Sequence, residues 1–269
     1  MVRNLSRRHF LGGSLSAALS CGALTRRPDA QARKSQDPFL LRTYRNARRE
    51  TLLYRLFTPP NYDRRKKYRL VLWLHGSGGD GKIDRVPSAN ITPSKKNGLW
   101  RLLGQPGIQS EYPSFVLVPR CPPGERWDNI GSNKPSTPMR LVLEVLQALG
   151  AEFGIDRRRL SVIGYSLGGY GTWDVVARRP GMFAAAVPIS GGGDAYKAHL
   201  IAQTPVWAFH GREDEAVNVG ESRRMVEAVR KAGGNPVYTE YAGVGHLVTE
   251  RVLAEPDLLP WIFAQRRNF

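Results

Sequence analysis

Only two cysteines, Cys21 and Cys121, occur in a chain of 269 residues. That scarcity excludes a disulfide-stapled fold and a cysteine-rich metal site. No apolar run reaches the ~18 residues that a membrane span needs, and mean hydropathy is −0.37, which excludes a polytopic membrane protein. Acidic residues are scarce too: 23 Asp and Glu stand against 40 Lys and Arg, a net charge of +17. A basic chain can bind nucleic acid, anionic lipid or acidic polysaccharide. Here the basic residues are scattered, with short clusters at 48–49, 64–67 and 157–159 and no long tail or helix-length stripe, so no nucleic-acid partner is expected. The rest of the composition is that of an ordinary globular chain, with 41% hydrophobic and 23% charged residues, which excludes a disordered or fibrous protein. The length suits one α/β domain.

Residues 1–32 read as an export signal. Arg3, Arg7 and Arg8 form a basic head, an apolar stretch covers 10–24, and Ala30-Gln31-Ala32 has the small-residue pattern of a cleavage site. Ser6-Arg7-Arg8-His9-Phe10-Leu11 resembles the twin-arginine (Tat) signal that sends folded proteins across the bacterial inner membrane. The expected destination is the periplasm or the cell exterior, with one domain over 33–269. Cys21 could be acylated in a lipoprotein, but Ala18 stands where such signals usually carry Leu, so lipidation is the less favoured fate. Cleavage would leave 35 basic and 22 acidic residues, a charge of +13, so the basicity belongs to the body and could draw it to anionic surfaces. Only Cys121 would remain, and no intramolecular disulfide could form.

The body shows no repeat and no linker. Apolar, β-favouring stretches at 52–57, 70–74, 115–118, 160–163, 184–189, 206–209 and 237–241 alternate with helical patterns at 139–153, 167–178 and 219–232. Continuous apolar runs such as 70–74 suit strands buried on both faces. Strands separated by helices predict a mostly parallel sheet with helices on both faces, and in such sheets the chemistry lies at the carboxyl ends of the strands.

Three strand-end motifs carry chemistry. The first is His75-Gly76-Ser77-Gly78-Gly79-Asp80-Gly81-Lys82. Gly76, Gly78 and Gly81 spell a dinucleotide fingerprint, and Gly76, Gly81 and Lys82 nearly spell a P-loop. However, Ile83 follows the lysine where Ser or Thr must hold magnesium, and no helix pattern opens at the glycines. The better reading is a glycine loop whose amides face a developing oxyanion. The second is Gly164-Tyr165-Ser166-Leu167-Gly168, set between the strand at 160–163 and the helix at 167–178. Strand, glycine-flanked serine and helix form a nucleophile elbow. The helix end adds positive potential where negative charge develops.

A serine nucleophile needs a base, and the base an orienting carboxylate. In the elbow order the acid follows the serine and the histidine comes last. Of the five histidines, His9 falls in the signal, His75 precedes the nucleophile, His199 lies in a helical stretch, and His210 ends a strand as a packed residue. His246 remains, in the loop Ala242-Gly243-Val244-Gly245-His246 after the last strand. Asp214, in His210-Gly211-Arg212-Glu213-Asp214, is the favoured acid. Asp194 in Ser190-Gly191-Gly192-Gly193-Asp194 is its rival, Asp174 lies inside the elbow helix facing away, and Glu213 and Glu215 are expected to be solvated.

Together, Gly164–Gly171 with Trp173, His210-Gly211-x-x-Asp214-x-x-Val217 and Gly243-x-Gly245-His246 resemble the α/β-hydrolase superfamily. The closest likeness is to secreted bacterial carboxylesterases and predicted peptidases of the phospholipase/carboxylesterase, feruloyl-esterase and polyhydroxyalkanoate-depolymerase groups. The likeness runs from about Leu52 to Phe263. It implies an α/β-hydrolase fold in one catalytic domain, 33–269, and ester hydrolysis by a Ser166-His246-Asp214 triad. The substrate would be a small or polymer-linked ester. It also implies an oxyanion hole from the amides of Leu167 and Ser77, with Gly78 the neighbouring possibility, and Trp127 in 119–127 as a pocket wall. No metal or cofactor is expected, and Cys121 reads as a small buried residue. The same triad would serve a peptidase, and a non-catalytic basic binding module on this scaffold is the remaining alternative.

Overall fold

The computed structural model describes residues 38–77 and 98–267; the expected export signal and Gly78 lie outside them. Among the described residues the sheet has eight strands: β1 (Phe39–Arg45), β2 (Thr51–Phe57), β3 (Tyr68–Leu74), β4 (Ser114–Pro119), β5 (Ile155–Tyr165), β6 (Ala185–Ile189), β7 (Trp207–Gly211) and β8 (Val237–Tyr241). Their order is β1-β2-β4-β3-β5-β6-β7-β8. β1 and β2 pair antiparallel, as do β2 and β4, and every other pairing is parallel. This is the mostly parallel sheet that the alternation of strands and helices predicts.

The strand sequences explain the two-sided burial. In β3, Leu70, Leu72 and Leu74 point to one face and Val71 and Trp73 to the other, each at most 1% exposed. The leucine face packs against three long helices: α3 (Thr137–Glu152), α4 (Leu167–Arg178) and α5 (Gly220–Lys231), through residues such as Val142, Trp173 and Val226. The Val71 and Trp73 face packs against short helices: α1 (Gly98–Leu103), α6 (Thr249–Leu253) and α7 (Leu258–Ala264), through Trp100, Val252 and Ile262. A further short helix, α2 (Pro106–Glu111), leads into β4. Each fully buried large side chain stabilises the fold by about 1.5–3 kcal/mol relative to exposure. Among the described residues no helix is long and apolar enough to cross a membrane.

The start of α3 shows local chemistry at work. Ser136 caps it, its Oγ accepting from the Met139 amide at 3.2 Å, and Pro138 sits in the first turn where no donor is needed. Beyond its end, a Cβ on Gly154 would run into the Lys66 carbonyl, so only glycine lets the chain pass there.

Candidate active site

The strand-end rule places the chemistry where β3, β5, β7 and β8 finish. β5 ends at Tyr165 and α4 begins at Leu167, with Ser166 between them at φ 56°, ψ −116°. A positive φ on a residue with a Cβ costs about 1–2 kcal/mol. The surroundings enforce it. The Ser166 amide donates to the Ile189 carbonyl at 2.8 Å on neighbouring β6. A Cβ on Gly164 would collide with the Gly168 carbonyl, and one on Gly168 with the Leu74 carbonyl. The two flanking glycines therefore permit a turn so tight that α4 starts against the end of β3.

Two further strand-end residues line up with that serine. His246 Nε2 lies 2.9 Å from Ser166 Oγ, and His246 Nδ1 lies 2.7 Å from Asp214 Oδ2. The other carboxylate oxygen, Oδ1, accepts the amides of Ala216 at 2.9 Å and Val217 at 2.8 Å. Burial alone would push the Asp214 acid up, but the Val217 and Ala216 amides and His246 outweigh it and hold the carboxyl below its ordinary value. Asp214 is thus kept ionised with its second oxygen free to fix His246. With Nδ1 donating to that oxygen, Nε2 is the acceptor that faces the serine hydroxyl.

The loops are drawn together by the backbone. Gly211 closes β7, and a Cβ there would meet the carbonyls of Val244 and Gly245. The histidine loop therefore crosses directly over the end of β7. The Glu213 amide donates to the Val244 carbonyl at 3.1 Å, and the Val244 amide donates to Glu213 Oε2 at 2.9 Å. Glu213, expected to be solvated, is exposed but braces this crossing.

A cavity of about 800 Å³ opens at Ser166, lined by Gly76, Ser77, Leu167, Tyr170, Val217, His246 and Leu247 among others. Gly76 approaches so closely that its Cβ would lie 3.1 Å from Ser166 Cβ, which sets the Ser77 backbone beside the serine. Leu167 is the first residue of α4, whose amide has no partner within the helix. Both residues expected at an oxyanion hole therefore line the cavity.

Trp127 corrects the sequence reading. It is 0% exposed and lies outside the cavity lining. Its Nε1 donates to the His75 carbonyl at 2.9 Å, its ring meets the His75 imidazole edge-on at 5.3 Å, and its Cβ fills the space over Gly171. An indole with a satisfied N–H packs best inside, where it supports the loop that carries Ser77. Its neighbours Glu125 and Arg126 line the cavity instead. Arg126 Nη2 lies 2.9 Å from Asp128 Oδ1 and the guanidinium sits over the Tyr170 ring.

The other expected residues fall where their local chemistry suggests. The Cys121 thiol is buried, and its amide donates to His75 Nε2 at 3.0 Å. Asp174 turns away and pairs with Arg178 at 2.6 Å, and His199 lies on the short 3-10 helix Ala195–Leu200. The reading overlooked Tyr165. Its hydroxyl donates to the His246 carbonyl at 2.8 Å and its ring lies 5.1 Å from the imidazole. Burial, reinforced by the Asp214 charge, raises this phenol to about 12, so it remains a donor. Its place inside the elbow motif was the available signal.

A serine turn on a mostly parallel sheet, facing a histidine and an aspartate from the last two strand ends, is an arrangement that the α/β-hydrolase fold provides. The fold is that of the α/β-hydrolases, and residues 126–252 match the dienelactone hydrolase family. It is similar to a thermostable esterase of known structure, at 34% identity and a TM-score of 0.77, covering 87% of this chain and 64% of that one. It is also similar to a bifunctional acetylxylan esterase/xylanase of Neocallimastix patriciarum, 26% identical over 151 residues, covering 55% of this chain and 20% of that protein. A feruloyl esterase module from Clostridium thermocellum, complexed with sinapinate, shares the fold at 18% identity and a TM-score of 0.62, covering 92% of this chain and 97% of that one. The chain thus spans a fifth of the curated relative and under two thirds of the thermostable esterase.

Proposed function

We propose that this chain is a serine esterase that cleaves carboxylic esters through an acyl-enzyme intermediate. The observation that carries the reading is the continuous line from Ser166 Oγ through His246 to Asp214, at 2.9 and 2.7 Å, at a strained strand-to-helix turn. Ser166 Oγ attacks the ester carbonyl while His246 Nε2 takes its proton. The oxyanion is held by the amides of Leu167 and Ser77, and one such donor is typically worth about 3 kcal/mol. His246 gives the proton to the leaving alcohol. Water, deprotonated by His246, then attacks the acyl carbonyl; the bond to Ser166 Oγ breaks, His246 returns the proton to that oxygen, and the carboxylic acid leaves. Asp214 stays ionised, fixes the His246 tautomer and stabilises the imidazolium.

The substrate class follows from the same cavity and from the neighbours. The cavity of about 800 Å³ beside Ser166 has room for the acyl group of such an ester. Esters attached to a polymer, such as acylated xylan, suit it, and the acetylxylan and feruloyl esterase neighbours support that class. The test is turnover of acetyl, butyryl, octanoyl and feruloyl esters by residues 33–269, with Ser166→Ala alongside. Ester turnover that Ser166→Ala abolishes is the expected result. Undiminished turnover by Ser166→Ala overturns the reading. Cleavage confined to peptide p-nitroanilides would make the chain a peptidase, and no reaction with a fluorophosphonate would make it a binding module.

Export by the Tat route is the second part of the proposal, supported by residues 6–11 alone. Replacing Arg7 and Arg8 with Lys should retain the protein in the cytoplasm; unchanged export overturns it. The body's charge then draws it toward anionic surfaces of the envelope or of acidic polysaccharide.

A further inference from the structure

His210 plays no part in the proton transfers above, yet it is wholly buried against the group that orients them. Its side chain is 0% exposed at the end of β7. Nε2 lies 3.2 Å from Asp214 Oδ2 and 3.0 Å from the Val217 carbonyl. Both neighbours are acceptors, so Nε2 carries the hydrogen. On the other side, Nδ1 lies 2.7 Å from Ser222 Oγ on α5, and Ser222 Oγ lies 2.9 Å from the Gly191 carbonyl in the loop after β6. Burial pushes this imidazole below its ordinary value, against the pull of the Val217 carbonyl and Asp214, which favours the neutral ring.

The contacts close on themselves. Asp214 Oδ2 faces two imidazoles, His246 at 2.7 Å and His210 at 3.2 Å, while Oδ1 takes the Ala216 and Val217 amides. His210 therefore grips both ends of the turn 214–217, at the carboxylate and at the Val217 carbonyl, and its Nδ1 contact with Ser222 ties that turn to α5. A carboxylate on a strand-end loop would otherwise swing with its loop, and a small misplacement of a catalytic group is costly in rate. Deepening the serine-esterase reading on which it rests, the geometry points to His210 as a positioning residue: it holds Asp214 so that Oδ2 stays aimed at His246, and it moderates how strongly that oxygen attracts the imidazolium. The titratable groups facing the cluster are Asp214 and His246, with Tyr165 facing them from β5.

Three variants test this. His210→Phe removes both nitrogens, His210→Gln keeps a donor near the Nε2 position, and Ser222→Ala releases the Nδ1 anchor. Readouts are kcat and KM on a short p-nitrophenyl ester from pH 5 to 9, the melting temperature, and the downfield proton resonance of His246 Nδ1–H. In His210→Phe, kcat should fall about tenfold, the effect of one lost hydrogen bond, while KM stays within about twofold. The acid limb of kcat/KM should move to higher pH, because Asp214 loses a donor and attracts the protonated His246 more strongly. The His246 resonance should shift with it. His210→Gln should recover most of kcat and the original limb, and Ser222→Ala should show a smaller change in the same direction. If His210→Phe does not fold, Ser222→Ala reads the same quantities. An unmoved acid limb and an unmoved His246 resonance in every folded variant overturn the inference, as does a change in melting temperature alone. Failure of the esterase reading looks different: Ser166→Ala would keep the wild-type rate, while the resonance would still report on His210.

Discussion

Two aspartates stand at the carboxyl ends of neighbouring strands, Asp194 after β6 and Asp214 after β7, and only one faces a histidine. Each acid lies within five residues of its strand end, with glycine before it, so position alone does not separate them. The difference lies in what each carboxylate is bound to. Asp194 caps a short 3-10 helix, accepting from the Tyr196 amide at 3.1 Å with Lys197 at 3.5 Å. Its glycine run is packed away: Gly191 lies against Gly169, Gly192 against Glu221 and Gly193 against Trp173. Asp214 has its first oxygen filled by two amides of its own turn, its second aimed at His246, and a side chain that is 0% exposed. A strand end offers a location; a second loop crossing over it makes a site. The crossing of Val244 and Gly245 over Gly211 exists for β7, and the β6 loop is instead consumed by packing against α4 and α5.

The largest expected effect that could break this contrast is on rate. Asp214→Asn should keep the fold and lower kcat by about 10⁴, the loss seen when a triad histidine is held in the wrong tautomer. Asp194→Asn should leave kcat within about twofold, since an asparagine caps as well as an aspartate. The contrast fails if the two variants exchange places in a p-nitrophenyl ester assay.

Acid stability should sharpen it next. The Asp214 carboxyl lies below its ordinary value in the folded protein, so it contributes stability above its unfolded value of ~3.9 and loses it as pH falls through the folded value. The gap in melting temperature between wild type and Asp214→Asn should therefore be widest near neutral pH and close as pH drops below about 4. A gap that is flat down to pH 2 would show that the bonds to Ala216, Val217 and His246 do not stabilise the anion.

The smallest effect belongs to the cap. Asp194→Ala removes the bond to the Tyr196 amide and should cost about 1 kcal/mol in urea unfolding at unchanged kcat. A large loss of activity from this variant would tie the β6 loop to the site after all.

How much of this was legible beforehand depended on the range of the cause. Seven of the eight strands and the three long helices show in the residues, because buried strands are continuous apolar runs and long helices repeat their pattern over several turns. β1 escaped notice. It is an edge strand, Leu40 and Leu41 are 58% and 46% exposed, and Arg42 and Arg45 interrupt any alternation. The helices α1, α2, α6 and α7 hold five to seven residues each, too few turns for a period to emerge. Ser166, Asp214 and His246 were each visible because glycine-rich turns and chain order surround them.

The chain's own pattern of apolar runs and glycines was enough to set a parallel sheet, its strand-end loops, and a serine on a turn that only flanking glycines allow. These are local properties of the backbone, decided within a few residues. Packing decided which aspartate meets the histidine, that Trp127 lies beneath the cavity with its N–H spent on His75, and that His210 grips the acid. Those outcomes depend on atoms far apart in the chain, whose hydrogen bonds exist only once the loops have crossed and the water between them is gone.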